Sequence, residues 1–168
     1  MSGNNQRKLP GATMNLVSAA MIKGSTSSYT TTVTTAGVIN GKFVTTLGAQ
    51  TNTATPTTDV NTGAAFIAQT DNTACVYVMG QNAAGTIKCA QGSIVPTAVG
   101  VTTTAGAFKD APQFPTLPDD FMPLAYVIVR TAPSASDWTF GTGEWAATGV
   151  TATQFVNVST LPDRPVTA

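Results

Sequence analysis

Few side chains in this chain could do chemistry. There is no histidine in 168 residues, which excludes a Ser-His-Asp or Cys-His nucleophile, an imidazole acid or base and a histidine metal cluster. Carboxylates, two thiols and a group of aromatic rings remain. Asp119 and Asp120 form the adjacent carboxylate pair. A glycosidase-type acid and base must flank one bond, whereas neighbours on an extended backbone point to opposite sides. Their expected role beside Pro118 is to cap turn amides. No catalytic residue is assigned.

Binding motifs are equally thin. Asp59, Asn61 and Gly63 imitate the start of a calcium loop, but the spacing is wrong and Thr70 stands where a bidentate glutamate belongs, so a solvated turn is expected. Gly37 to Lys42 is a gapped GxxxGK followed by Phe43, which lacks the Walker spacing and its hydroxyl residue. Cys75 and Cys89 are expected on one face of a hairpin without standing opposite each other, as two reduced, buried thiols. Two cysteines without histidine do not make a zinc site, and no metal or cofactor is expected.

Trp138, Phe140 and Trp145 carry the most weight. Aromatics beside a glycine-rich turn can stack on sugars, anchor a protein interface or fill a core. In a chain poor in large side chains, Trp138 and Phe140 are expected in the core and Trp145 on the surface. With the basic pair Arg7 and Lys8 of the polar N-terminal segment, these three form the candidate partner or glycan interface. Arg130 is expected to meet a carboxylate, and the sequon at Asn157 falls on an expected strand.

The elements that would hold these residues are strands. Threonine is the commonest residue, strong helix formers are depleted, and 15 glycines and 10 prolines punctuate the chain. Asn40-Gly41 marks a hairpin between strands at 29–39 and 43–47, and Asn82-Ala83-Ala84-Gly85 marks a second, between 75–79 and 86–91. Residues 12–22 fit a strand or a short helix, with strand preferred. Residues 49–63 are expected as a loop, 64–70 as a short strand, 94–108 as a strand or loosely ordered edge, and 137–140 and 154–160 as strands.

Residues 112–130, PQFPTLPDDFMPLAYVIVR, organise the frame. Pro112, Pro115, Pro118 and Pro123 fix φ and remove donors, which predicts an extended strap. Leu124 to Arg130 then alternates Leu124, Tyr126, Ile128 and Arg130 against Ala125, Val127 and Val129, the pattern of a half-buried central strand. The strap's Leu117-Pro118-Asp119-Asp120 is echoed by Leu161-Pro162-Asp163-Arg164-Pro165.

The expected fold is therefore all-β: a single β-sandwich or barrel-like domain of mostly antiparallel hairpins with extended arms. It would span residues 12–165, behind a flexible arm at 1–11 and before a short tail at 166–168. Only 10% of residues are charged, eight of each sign, which removes the bulk electrostatic case for nucleic acid or membrane binding. A surface with so few charges tolerates packing against other subunits, so a homo-oligomer is expected. Arg7 and Lys8 precede a moderately apolar stretch, but Pro10, Gly11, Thr13, Asn15 and Ser18 interrupt it, so no secretory leader is expected.

Three phrases, CVYVMGQNAAGTIKCAQG, FPTLPDDFMPLAYVIVR and DWTFGTGEWAATGVTATQFVNVSTLPDRP, resemble those of virion structural proteins of tailed bacteriophages, of the kind assigned to head decoration (cement) proteins or to head and tail fibres. The resemblance covers residues 74–165 and carries over no functional residue. It implies a β-rich protein, commonly trimeric, made in the host cytoplasm, that sits on the capsid exterior and clamps neighbouring major capsid subunits. The fibre variant implies contact with host glycan.

Overall fold

The computed structural model describes residues 11–135 and 137–166. Its strands are Met14–Val17 (β1), Met21–Lys23 (β2), Ser28–Thr31 (β3), Ala36–Ile39 (β4), Lys42–Phe43 (β5), Gln50–Ala54 (β6), Thr73–Gln81 (β7), Ile87–Gln91 (β8), Val95–Pro96 (β9), Met122–Thr131 (β10), Val150–Ala152 (β11) and Val156–Asn157 (β12). The chain is all-β. No helix and no closed barrel occur among the described residues. The strands form three antiparallel sheets.

The central sheet is built on β7 and β10, paired from Met122↔Gln81 to Arg130↔Ala74. β8 and β9 border β7, and β11 and β12 border β10. Two smaller sheets, β1-β4-β5 and β2-β3-β6, complete the fold. β7 reads ACVYVMG with no polar alternation, the signature of a strand covered on both faces. Residues 74–81 are all buried.

One face of the central sheet presents Cys75, Tyr77, Met79, Cys89, Val127 and Val129 to a core that takes Met21 and Tyr29 from one small sheet and Ile39 from the other. The opposite face presents Val76, Val78, Tyr126 and Ile128. There the strap lies across it. Phe114 meets Tyr126 edge-on at 5.0 Å, and Phe121, Leu117 and Leu161 pack into the same cluster. The two Leu-Pro segments thus meet over one sheet face. The strap covers the strand it leads into, so β10 is covered on both faces instead of half-buried.

Two details of the strap differ from expectation. Pro123 lies inside β10, at a register irregularity between Pro123 and Ala125, where a missing donor is tolerated. The irregularity moves Leu124 into the core of Ala125, Val127 and Val129, away from Tyr126 and Ile128. Gly80, opposite Pro123, is required by close approach: a Cβ there would stand 2.3 Å from the Phe121 ring.

Both hairpins form. Asn40 and Gly41 take positive φ (51° and 75°) between β4 and β5, and Gly85 (86°) closes the turn between β7 and β8. Residues 29–39 are not one strand; they divide into β3 and β4, in different small sheets. The break falls before Thr35, whose hydroxyl donates to Gln81 Oε1 at 2.6 Å and accepts from Leu47 N at 2.9 Å. Residues 12–22 form two strands, β1 and β2, separated by Ala20 at φ 47°. Residues 49–63 contain β6, and 64–70 make only bridges at Ala65 and Gln69. Residues 137–140 likewise contribute only a bridge, Trp138 to Gln69.

At the C-terminal end, Pro165 is buried and Val166 N donates to the Tyr126 hydroxyl at 2.9 Å, so the chain stays anchored into the first residue assigned to the tail. Among the described residues no helix is long and apolar enough to cross a membrane.

Candidate functional site

The three aromatics singled out in the sequence are brought together, inside the protein. Phe140 is fully buried, stacked on Tyr77 at 4.6 Å, with Phe66 at 5.1 Å and Trp145 at 5.6 Å in edge contacts. Trp138 and Trp145 lie 5.8 Å apart, and Trp145 also meets Phe155. Both indole N–H groups are satisfied internally: Trp138 donates to Glu144 O at 3.0 Å and Trp145 to Ser28 O at 2.8 Å.

Trp145, expected on the surface, is 7% exposed. Its small neighbours explain the difference. A Cβ at Gly143 would stand 2.4 Å from Trp138 Nε1, so the glycine lets the loop lie flat on Trp138 and tucks Trp145 beneath it. Arg7 and Lys8, the other candidate interface residues, lie outside the described residues.

The polar residues hold the frame. Asp120 Oδ1 accepts from Ala83 N at 3.0 Å and caps the β7–β8 turn, the role expected of it. Asp59, expected in a solvated turn, is buried; its two oxygens accept from Gln91 N and Thr62 N at 3.0 and 3.2 Å. Arg130 donates to Gly106 O at 3.2 Å and lies 5.2 Å from the Phe108 ring centroid, so it pins the 101–108 segment through a carbonyl and a cation–π contact instead of through a carboxylate. Among the described residues no three Cys, Asp or Glu side chains converge where they could hold a metal.

Four buried or half-buried amides escaped the sequence reading. Gln69 Oε1 accepts from the Tyr77 hydroxyl while its Nε2 donates to Val129 O. Gln81 ties β7 to Thr35 and to Thr45 O. Asn15 Nδ2 donates to Val158 O at 3.3 Å, and Asn157 bonds both backbone groups of Met21. They join the central sheet or its border strand to neighbouring segments.

Cys75 and Cys89 are free and buried on one face, Cys75 opposite Val129 and Cys89 opposite Met79. Burial pushes the Cys75 thiol up to about 12, and burial together with the neighbouring Cys75 raises Cys89 well above its ordinary range. Burial also raises Tyr77. These groups stay protonated in the fold and ionise once released. Their contribution to stability is therefore complete below the unfolded thiol value of about 8.5 and is lost as pH climbs towards the folded values. The denaturant midpoint should hold from pH 7 to 8 and fall progressively above about pH 9. A midpoint that stays flat to pH 11 would contradict this burial.

The exposed feature with binding character is the outer face of the β1-β4-β5 sheet. Its inner face is set by Asn15, Gly37 and Ile39, all buried; Gly37 packs on Met122. By the two-residue period of strands, the outer face carries the cross-strand row Met14↔Val38↔Phe43, with Leu16 and Val17 at the bulge beside it. Phe43 is 83% exposed and Leu16 51%. No family model matches the chain, and neither a curated protein nor a solved structure matches it.

Proposed function

We propose that this chain is a virion structural protein of a tailed bacteriophage, a capsid decoration protein on the head exterior that stabilises the shell by bridging major capsid subunits. The resemblance of residues 74–165 supplies the class. The observation that carries the contact is the outer face of the β1-β4-β5 sheet, an apolar row ending in Phe43. Phe43, Leu16 and Val17 are exposed there and Met14 and Val38 half-buried, and apolar surface left open to solvent marks protein–protein contact. The neutral, charge-poor composition lets such a face approach a shell without charge desolvation. A glycan-binding fibre module would need ring faces of Trp138, Phe140 and Trp145 open to solvent, and those rings are buried.

The test is occupancy on purified heads stripped of this protein. Burying a phenylalanine contributes roughly 1.5–3 kcal/mol, so Phe43→Ser should weaken binding by about ten- to a hundredfold. Its circular dichroism should be unchanged, because the side chain supports nothing inside the fold. Full occupancy by the variant would remove this face from the contact, and failure of the unmodified protein to bind heads would remove the function.

A further inference from the structure

Asn40 is the one asparagine in the chain followed by glycine. The amide carbon of an asparagine lies within reach of the next residue's backbone nitrogen, and attack by that nitrogen closes a five-membered succinimide. A side chain on the following residue hinders the approach, and glycine has none.

The hairpin leaves the Asn40 amide open and guards the nitrogen that would attack it. Asn40 and Gly41 are both exposed, at φ 51° and 75°. The side chain is held loosely: Nδ2 donates to Asp119 O at 3.5 Å, near the limit for such a bond. The backbone is held firmly. Gly41 N donates to Ala12 O at 2.9 Å, Asn40 N donates to Thr13 Oγ1 at 3.0 Å, and a Cβ at Gly11 would run into the Asn40 carbonyl. Residues 11–13 thus clasp both amides that flank the Asn40 Cα. Ring closure needs Gly41 N to give up its proton and swing towards the side chain, so it waits on release of the bond to Ala12 O.

We propose that Asn40 is a deamidation site gated by the clasp of residues 11–13. When the clasp opens locally, Gly41 N loses its proton to hydroxide and attacks Asn40 Cγ. The amide C–N bond breaks, and ammonia leaves with a proton from water, which returns the hydroxide. Water then opens the succinimide at either carbonyl to give aspartate or isoaspartate. Solvent is the only co-reactant. Either product sets a carboxylate beside Asp119, which lines the same groove as Asn40. Isoaspartate also lengthens the backbone between Ile39 and Lys42, the pair that closes the turn. The inference is independent of where the protein acts.

Peptide mapping of the full-length protein tests it. Trypsin cleavage after Lys23 and Lys42, following denaturation, releases residues 24–42, which contain no other asparagine and no glutamine. The mass gained when an amide becomes an acid therefore reports Asn40 alone. At mildly alkaline pH the chain in denaturant should convert more than roughly tenfold faster than the folded chain, since two hydrogen bonds close the clasp. Denaturant added below the unfolding transition should barely change the folded rate, because the clasp opens without global unfolding. Thr13→Val keeps the side chain's shape and removes the acceptor for Asn40 N. It should speed conversion of the folded protein about two- to tenfold, the effect of one hydrogen bond, and leave the rate in denaturant unchanged. Gly11→Ala, which forces the clasp off the turn, should act in the same direction. Gly11 is exposed and Thr13 half-buried, so circular dichroism should not change. Equal rates in the folded and denatured chain, a folded rate that tracks global unfolding, or no acceleration by either variant would each overturn the proposal.

Discussion

Phe140→Ala is expected to destabilise the protein by about 3–5 kcal/mol, the range for truncating a fully buried phenylalanine. Domains of this size are stable by only about 5–15 kcal/mol, so the variant should unfold at a much lower denaturant concentration. Phe140 is the hub of the aromatic cluster, touching Phe66, Tyr77, Trp138 and Trp145. Three of those partners come from loops: Phe66, Trp138 and Trp145 lie outside the strands. The cavity left by alanine would therefore loosen two long connections from the central sheet at once. Both tryptophans sit in the cluster, so the same titration can be read by intrinsic fluorescence, and their emission should shift red before unfolding if the loops part first. Phe140→Leu, which keeps most of the volume, should cost markedly less. An unchanged midpoint for Phe140→Ala would show that the cluster is not the core.

Punctuation and uninterrupted apolar runs made part of this fold legible in advance. Asn40-Gly41 and Asn82 to Gly85 announce hairpins because their backbones must reach positive φ. Leu124 to Arg130 announces a central strand because six of its seven residues are apolar or aromatic. The strap was visible from its prolines, but the surface it would cover was not, since that depends on the twist and register of strands far away in sequence. Edge strands hid for a different reason. β6, Gln-Thr-Asn-Thr-Ala, is polar and has no fully buried position, so it carries no period-two signal to separate it from a loop.

The candidate interface was legible only in part. The rings of Trp138, Phe140 and Trp145 were recognised as a group, yet the glycines around Trp145 suggested exposure when their effect is to let the loop close on Trp138. The apolar row on the β1-β4-β5 sheet was missed. Met14, Val38 and Phe43 come from three strands, and only the register sets them side by side. Buried amides were missed because a glutamine or asparagine scores as solvent-facing whichever way it points.

Asn157 gives the second large effect, for that reason. Its side chain occupies the place of a missing strand residue: Met21 N donates to Asn157 Oδ1 at 2.7 Å, and Asn157 Nδ2 donates to Met21 O at 3.0 Å. Met21 is fully buried, and its backbone groups face away from its β3 partner Thr31. Asn157 in turn belongs to β12 on the border of β10. One amide therefore carries the seam between the β2-β3-β6 sheet and the central sheet, joined nearby by Lys23 Nζ donating to Ala152 O at 2.8 Å. Asn157→Ala leaves a donor and an acceptor without partners. With about 1–3 kcal/mol for each orphaned group, the expected loss of unfolding free energy is roughly 2–6 kcal/mol, read as a lower denaturant midpoint. Asn157→Asp separates the two bonds. Its carboxylate still accepts from Met21 N but sets a negative oxygen against Met21 O, so above the carboxylate's titration range it should be at least as damaging as alanine, and on acidification part of the loss should return as the carboxyl regains a proton to donate. An aspartate variant as stable at neutral pH as the unmodified protein would show that the Met21 carbonyl finds its partner elsewhere. The same geometry excludes the sequon as a modification site on the folded chain, since a glycan on Nδ2 would have to displace the bond that closes the seam.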